Sequence, residues 1–143
     1  AIVRAAIRTL TGHREGGSTI AQQLARTLTG RFERSLVRKV KEIRLAIRIT
    51  KIYEREHIPA YYLSVAYYGW RMNGLSEACR RSEVDGEMSE ENAAGIVARL
   101  KYPEPREPSS CRSAQIQRRT RHVINLHRRH WRIDLQKRFF NIN

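Results

Sequence analysis

The sequence predicts an all-α fold, and three observations carry that expectation. Apolar residues recur with the helical spacing i, i+3, i+4 and i+7 over most of the chain. No run alternates apolar and polar residues with the period of two that a half-buried strand requires. Glycine and proline fall between the periodic segments, at Gly16-Gly17, at Gly30 and from Pro103 to Pro108. Helices are therefore expected near residues 2–11, 18–29, 33–54, 57–67, 73–81, 89–100 and 112–132. A chain of 143 residues makes one domain with a modest core. Within that single domain, 1–143, we expect a motif-bearing body at 1–111 and a basic C-terminal helix and tail at 112–143.

Each element has a local reason. The second helix is announced by Ser18 and Thr19, both good N-cap residues, and by Ile20 and Leu24, which start an apolar stripe. In the third, Leu36, Val40, Ile43 and Ile47 form one apolar face. Pro59 fits an early helix position of the fourth. Ser89, followed by Glu90-Glu91 and Asn92, makes a helix start with acidic residues near the positive end of the dipole. Ile116, Val123, Leu126 and Trp131 give the last helix an imperfect stripe among arginines. Tyr61, Tyr62, Tyr67, Tyr68 and Trp70 form an aromatic cluster whose spacing suits a core. Tyr68 and Trp70 also flank a glycine turn and are candidates for stacking on a sugar.

Charge sets the partner class. The formal net charge is +14, distributed as +9 over residues 1–55, −3 over 56–111 and +8 over 112–143. Basic ends around a slightly acidic middle suit an anionic partner: a diphosphate, an anionic membrane surface or nucleic acid. No run reaches the roughly 18 apolar residues that would span a bilayer. Cys79 and Cys111 are too few for a disulfide framework, and reduced thiols are the default. His122, His127 and His130 lack the Cys or carboxylate that would complete a metal site, so no metal ligands are assigned.

The chemistry concentrates at 16–26, Gly-Gly-Ser-Thr-Ile-Ala-Gln-Gln-Leu-Ala-Arg. Glycines, hydroxyls and free amides at a helix mouth, with Gln22, Gln23 and Arg26 on its first turns, suit a phosphate or a polyhydroxylated sugar. The next helix carries Arg38 and Glu42 one turn apart, with Lys39 and Lys41 beside them. Surrounding cations favour ionised Glu42, which makes it a poor general base and a good organiser of basic side chains. Glu15 and His13 beside the glycines read as solvated loop residues.

Taken in order, G-G-S-T-I-x-Q-Q-L at 16–24, R-K-x-x-E at 38–42, and Tyr62-Leu63 with Tyr68-Gly69, Gly74 and Ala78 resemble the peptidoglycan glycosyltransferases of family 51. These are the transglycosylase domains of penicillin-binding proteins and their monofunctional relatives. The resemblance runs from Ala1 to about Leu126. Ser64 stands where that family usually has Asn, and Arg71 where it has a second Gly. Residues 90–108 resemble its last conserved helix and the following proline turn.

The resemblance implies a lysozyme-like transglycosylase domain, truncated at its N-terminus. The family's first motif, with the glutamate that serves as general base, is expected upstream of Ala1, so the chain alone is expected to turn over weakly or not at all. It also implies a reaction in which a sugar hydroxyl displaces a lipid-linked diphosphate at an anomeric carbon. Gly17, Ser18, Thr19, Gln22, Gln23, Arg26, Arg38 and Lys39 would then bind the donor, and Glu42 would be a second, organising carboxylate. Lipid II and the nascent glycan chain are the implied partners, at the outer face of the bacterial cytoplasmic membrane. A divalent cation, Mg or Mn, on the donor diphosphate is compatible with this chemistry. Two other functions stay open at this point: a catalytically inactive relative that binds a cell-wall precursor or partner, and an arginine-rich nucleic-acid-binding protein.

Overall fold

The computed structural model describes residues 19–30, 35–84 and 87–140, with side chains described as far as 132. The expected helix at 2–11, and Glu15, Gly17 and Ser18, lie outside the described residues. Among those described, six helices and one two-stranded ribbon occur: α1 (Ile20–Thr29), α2 (Leu36–Ile52), α3 (Ile58–Val65), β1 (Tyr67–Gly69), β2 (Met72–Asn73), α4 (Leu75–Arg81), α5 (Glu90–Arg99) and α6 (Ser110–Phe140). The fold is all-α, as the periodicity requires. The ribbon is a correction: two strands of three and two residues are too short to show alternation. None of these helices is long and apolar enough to cross a membrane.

The chain divides into two compact units, Ala1–Ala66 and Tyr67–Asn143. In the first, α1 packs against α2 and α3. Its core is Ala21, Leu24, Ala25, Ala46, Ile49 and Ile58, with Leu45 and Tyr62 packed against it. Alanines on both α1 and α2 let the helices approach closely. The start of α1 is fixed by Thr19, whose Oγ1 accepts from the Gln22 amide at 3.3 Å. Its end is fixed by Gly30, which takes the left-handed conformation at φ 61° that closes a helix without a Cβ penalty.

The buried face of α2 differs from the expected one. Its buried residues are Glu42, Ala46 and Ile49, whereas Leu36 is 88% exposed and Val40 and Ile47 are exposed too. Positions 39, 42, 46 and 49 form the stripe that meets the rest of the unit. A count of apolar residues selects the wrong face, because the packed face carries a carboxylate whose charge is matched on its own helix.

In the second unit α5 packs along α6, α4 against β2, and α5 against β1. Ser89 caps α5 by accepting from the Asn92 amide at 3.1 Å. The β1–β2 turn holds Trp70 and Arg71, and Arg71 adopts φ 57°. That is a glycine-favouring conformation, which gives a physical reason for a glycine in the related motif and a cost for the arginine here. Gly69, at φ 147°, is more tightly constrained: a Cβ there would meet Glu104 N at 2.5 Å. The backbones interlock at that point, with Glu104 N donating to Tyr68 O at 3.0 Å and Trp70 N to Glu104 O at 2.8 Å. Cys79 and Cys111 are free. The last helix is longer than expected, reaching from Ser110 to Phe140.

Candidate functional site

The site sits in the first unit, where α1 and α2 face each other. Gln22, in the first turn of α1, is 3% exposed, and Glu42, midway along α2, is 6% exposed. Two buried polar side chains in a small core need partners, since an unpaired buried polar group costs about 1–3 kcal/mol. Lys39 supplies them. Its Nζ donates to Gln22 Oε1 at 3.2 Å and to Glu42 Oε1 at 2.7 Å, and so ties the two helices. Arg38 Nη1 donates to the other carboxylate oxygen, Glu42 Oε2. Each oxygen of Glu42 is thus engaged by a different cation, from one turn earlier on the same helix.

Burial pushes the Glu42 carboxyl up, but the hydrogen bonds and charges of Lys39, then of Arg38, outweigh it and hold the group below its ordinary value. Glu42 is therefore an ionised, immobilised anchor rather than a proton acceptor near neutral pH. Both oxygens being committed to cations, it does not fit the role of a metal ligand. Among the described residues no three His, Cys, Asp or Glu side chains converge on a metal position.

Beside this cluster opens a cavity of about 300 Å³ lined by Thr29, Arg38, Lys41, Glu42 and Leu45. Thr29, which sequence reasoning did not select, stands at the C-terminal end of α1, and its hydroxyl donates to Ala25 O at 3.0 Å. The structure thus brings Gln22, Arg38, Lys39 and Glu42 together. Gln23 and Arg26 stand exposed on α1. The Thr19 hydroxyl is engaged as the helix cap.

The aromatic candidates belong to the second unit, and here the structure corrects one. Tyr68 is fully buried, so its ring has no face to offer a sugar. It is core because β1 directs it inward beneath the interlock with Glu104. Trp70 is exposed, with Arg106 and Arg71 at 5.1 and 5.9 Å from its ring centre. Tyr61 and Tyr67 are exposed as well, against the expectation of core.

Known proteins resemble the chain along most of its length. Residues 1–128 match the family model described as Transglycosylase. Penicillin-binding protein 1A of Aquifex aeolicus (strain VF5) is 38% identical over 123 residues, covering 83% of this chain and 17% of that protein. Penicillin-binding protein 1A of Escherichia coli (strain K12) is 42% identical over 77 residues, covering 53% of this chain and 9% of that protein. A biosynthetic peptidoglycan transglycosylase of Thiobacillus denitrificans (strain ATCC 25259 / T1) is 33% identical over 106 residues, covering 73% and 45%. The chain spans less than a fifth of the length of these two penicillin-binding proteins. With a family match across nine-tenths of its residues and an Arg-Lys-Glu cluster around a buried carboxylate where the second motif falls, the chain belongs to the family 51 peptidoglycan transglycosylases.

Proposed function

We propose that the first unit binds the diphosphate of lipid II and serves a glycosyl transfer that polymerises glycan strands. The observation that carries this proposal is Lys39 joining Gln22 on α1 to Glu42 on α2, which makes one cationic cluster out of two separate motifs. Displacing a diphosphate builds negative charge on the leaving group, and fixed cations stabilise that charge best when they need not reorganise. Arg38 and Lys39 are held by Glu42 before any ligand arrives. By their place in the first motif, Gly17, Ser18, Thr19, Gln23 and Arg26 are proposed as further donor contacts. Glu42 organises the cations; the proton from the attacking hydroxyl goes to another carboxylate. The place of action proposed is the outer face of the bacterial cytoplasmic membrane, with the glycan chain as second substrate.

The test is binding of lipid II in detergent micelles, measured for the 143-residue chain and for Arg38→Gln. Losing one charge-assisted hydrogen-bond donor costs about 1.5–3 kcal/mol, so affinity should fall by roughly 10- to 100-fold. Equal affinity in the variant, or no binding by the parent chain, would refute the proposal. DNA binding with no lipid II binding would favour the nucleic-acid alternative instead.

A further inference from the structure

A second cationic pocket lies in the other unit, between the turn after α5 and one face of α6. It measures about 470 Å³ and is lined by Lys101, Tyr102, Gln115, Arg118, Arg119 and His122. The four α6 residues follow i, i+3, i+4 and i+7 spacing, so they form one stripe of the helix. The opposite wall is held rigidly. Lys101 N and Tyr102 N both donate to Ala98 O at 3.1 Å, and Arg99 Nε donates to Glu104 Oε2 at 2.6 Å. Arg99 also donates to Gly95 O at 3.1 Å. The Tyr102 ring is flanked by Lys101 and Arg112, at 5.5 and 5.9 Å from its centre.

Two features point to a ligand. No acidic residue lines the pocket, and among the described residues no ion pair reaches Lys101, Arg118, Arg119 or His122. In addition, Arg119 Nε is buried and has no hydrogen-bond partner among the described residues. A buried guanidinium N–H without an acceptor is rare, and it marks Arg119 as a side chain whose hydrogen-bonding capacity is not filled among the described residues. Converging cations without a counter-carboxylate repel one another until an anion enters. A phosphate group matches this donor set better than a carboxylate, because it has more oxygens and suits bidentate guanidinium contacts. The volume falls in the range of small-molecule clefts, about 300–1,000 Å³, so there is room for an organic substituent on the phosphate.

We propose that this pocket of the second unit is a binding site for an organic phosphate. Two sources share that chemistry, a free small phosphoester and a phospholipid headgroup. The 143-residue chain, labelled with ¹⁵N, is titrated with glycerol 3-phosphate and, in parallel, with phosphatidylglycerol vesicles and phosphatidylcholine vesicles. The expected result is a saturable shift of the Arg119 Nε–H resonance. Affinity should fall at least tenfold in Arg118→Gln and in Lys101→Gln, both exposed positions, and less than twofold in Arg129→Gln farther along α6. A response to glycerol 3-phosphate assigns a free phosphoester, and a response to phosphatidylglycerol vesicles alone assigns a lipid headgroup. No saturable shift with either, or an equal loss in Arg129→Gln, would overturn the proposal in favour of diffuse charge attraction.

Discussion

Replacing Glu42 by Gln tests how the first unit is held together. Glu42 is 5% exposed at its side chain, Arg38 16% and Lys39 35%. The amide keeps the shape and one acceptor but removes the charge that both cations face. The Arg38 limb is largely shielded from water, so its charge-assisted bond is worth about 1.5–3 kcal/mol. The Lys39 limb is about a third exposed and screened, which limits it to roughly 0–1 kcal/mol. Together they predict a loss of about 1.5–4 kcal/mol at pH 7, measurable by urea unfolding followed by circular dichroism. The pH dependence has a fixed sign. The folded carboxyl titrates below its ordinary value, so its contribution is fully present above about 4.3, the usual glutamate pKa, and fades as pH falls through the depressed folded value. The gap between parent and variant should therefore be full at pH 7 and close progressively in acid. Equal stability at pH 7, or a gap that stays constant down to strongly acidic pH, would refute the account of Glu42 as an ionised anchor.

Three further outcomes are expected from the same unfolding measurement. Thr19→Ala removes the α1 cap and should cost about 1 kcal/mol, whereas Thr19→Ser keeps the hydroxyl and should stay within a few tenths of the parent. Gly69→Ala places a Cβ against the Glu104 backbone and should cost more than about 2 kcal/mol, while Arg71→Gly relieves a left-handed arginine and should be neutral or stabilising by up to about 1 kcal/mol. Val40→Gln should fall within about 0.5 kcal/mol of the parent because its side chain is exposed, and Ala46→Gln should lose at least about 1–3 kcal/mol by overpacking the α1–α2 contact.

Much of the helical framework was legible because its signals are local. Thr19 and Ser89 cap the helices they announce, and Gly30 closes α1, all from chemistry confined to a few residues. The motif spacing also brought Gln22, Arg38, Lys39 and Glu42 into one account. The orientation of α2 was not legible, because Leu36, Val40 and Ile47 outscore Glu42, Ala46 and Ile49 in apolarity. Only the tertiary pairing of Lys39 with Gln22 shows which stripe turns inward. Tyr68 and Trp70 are near neighbours, yet one is buried and the other exposed, an outcome decided by the β1–β2 turn and its interlock with Glu104. The pocket on α6 escaped notice for a related reason. Gln115, Arg118, Arg119 and His122 look like solvated charge until the turn at Lys101-Tyr102 is placed opposite them.

In the proposed site Lys39, held between Gln22 and Glu42, meets a lipid-borne diphosphate. Its Nζ can be watched directly by NMR in the chain labelled at lysine, during titration with lipid II in micelles. Saturable movement of the Lys39 signal, reproduced by inorganic pyrophosphate alone, is the predicted result. A Lys39 signal that stays still while lipid II binds elsewhere on the chain would contradict it.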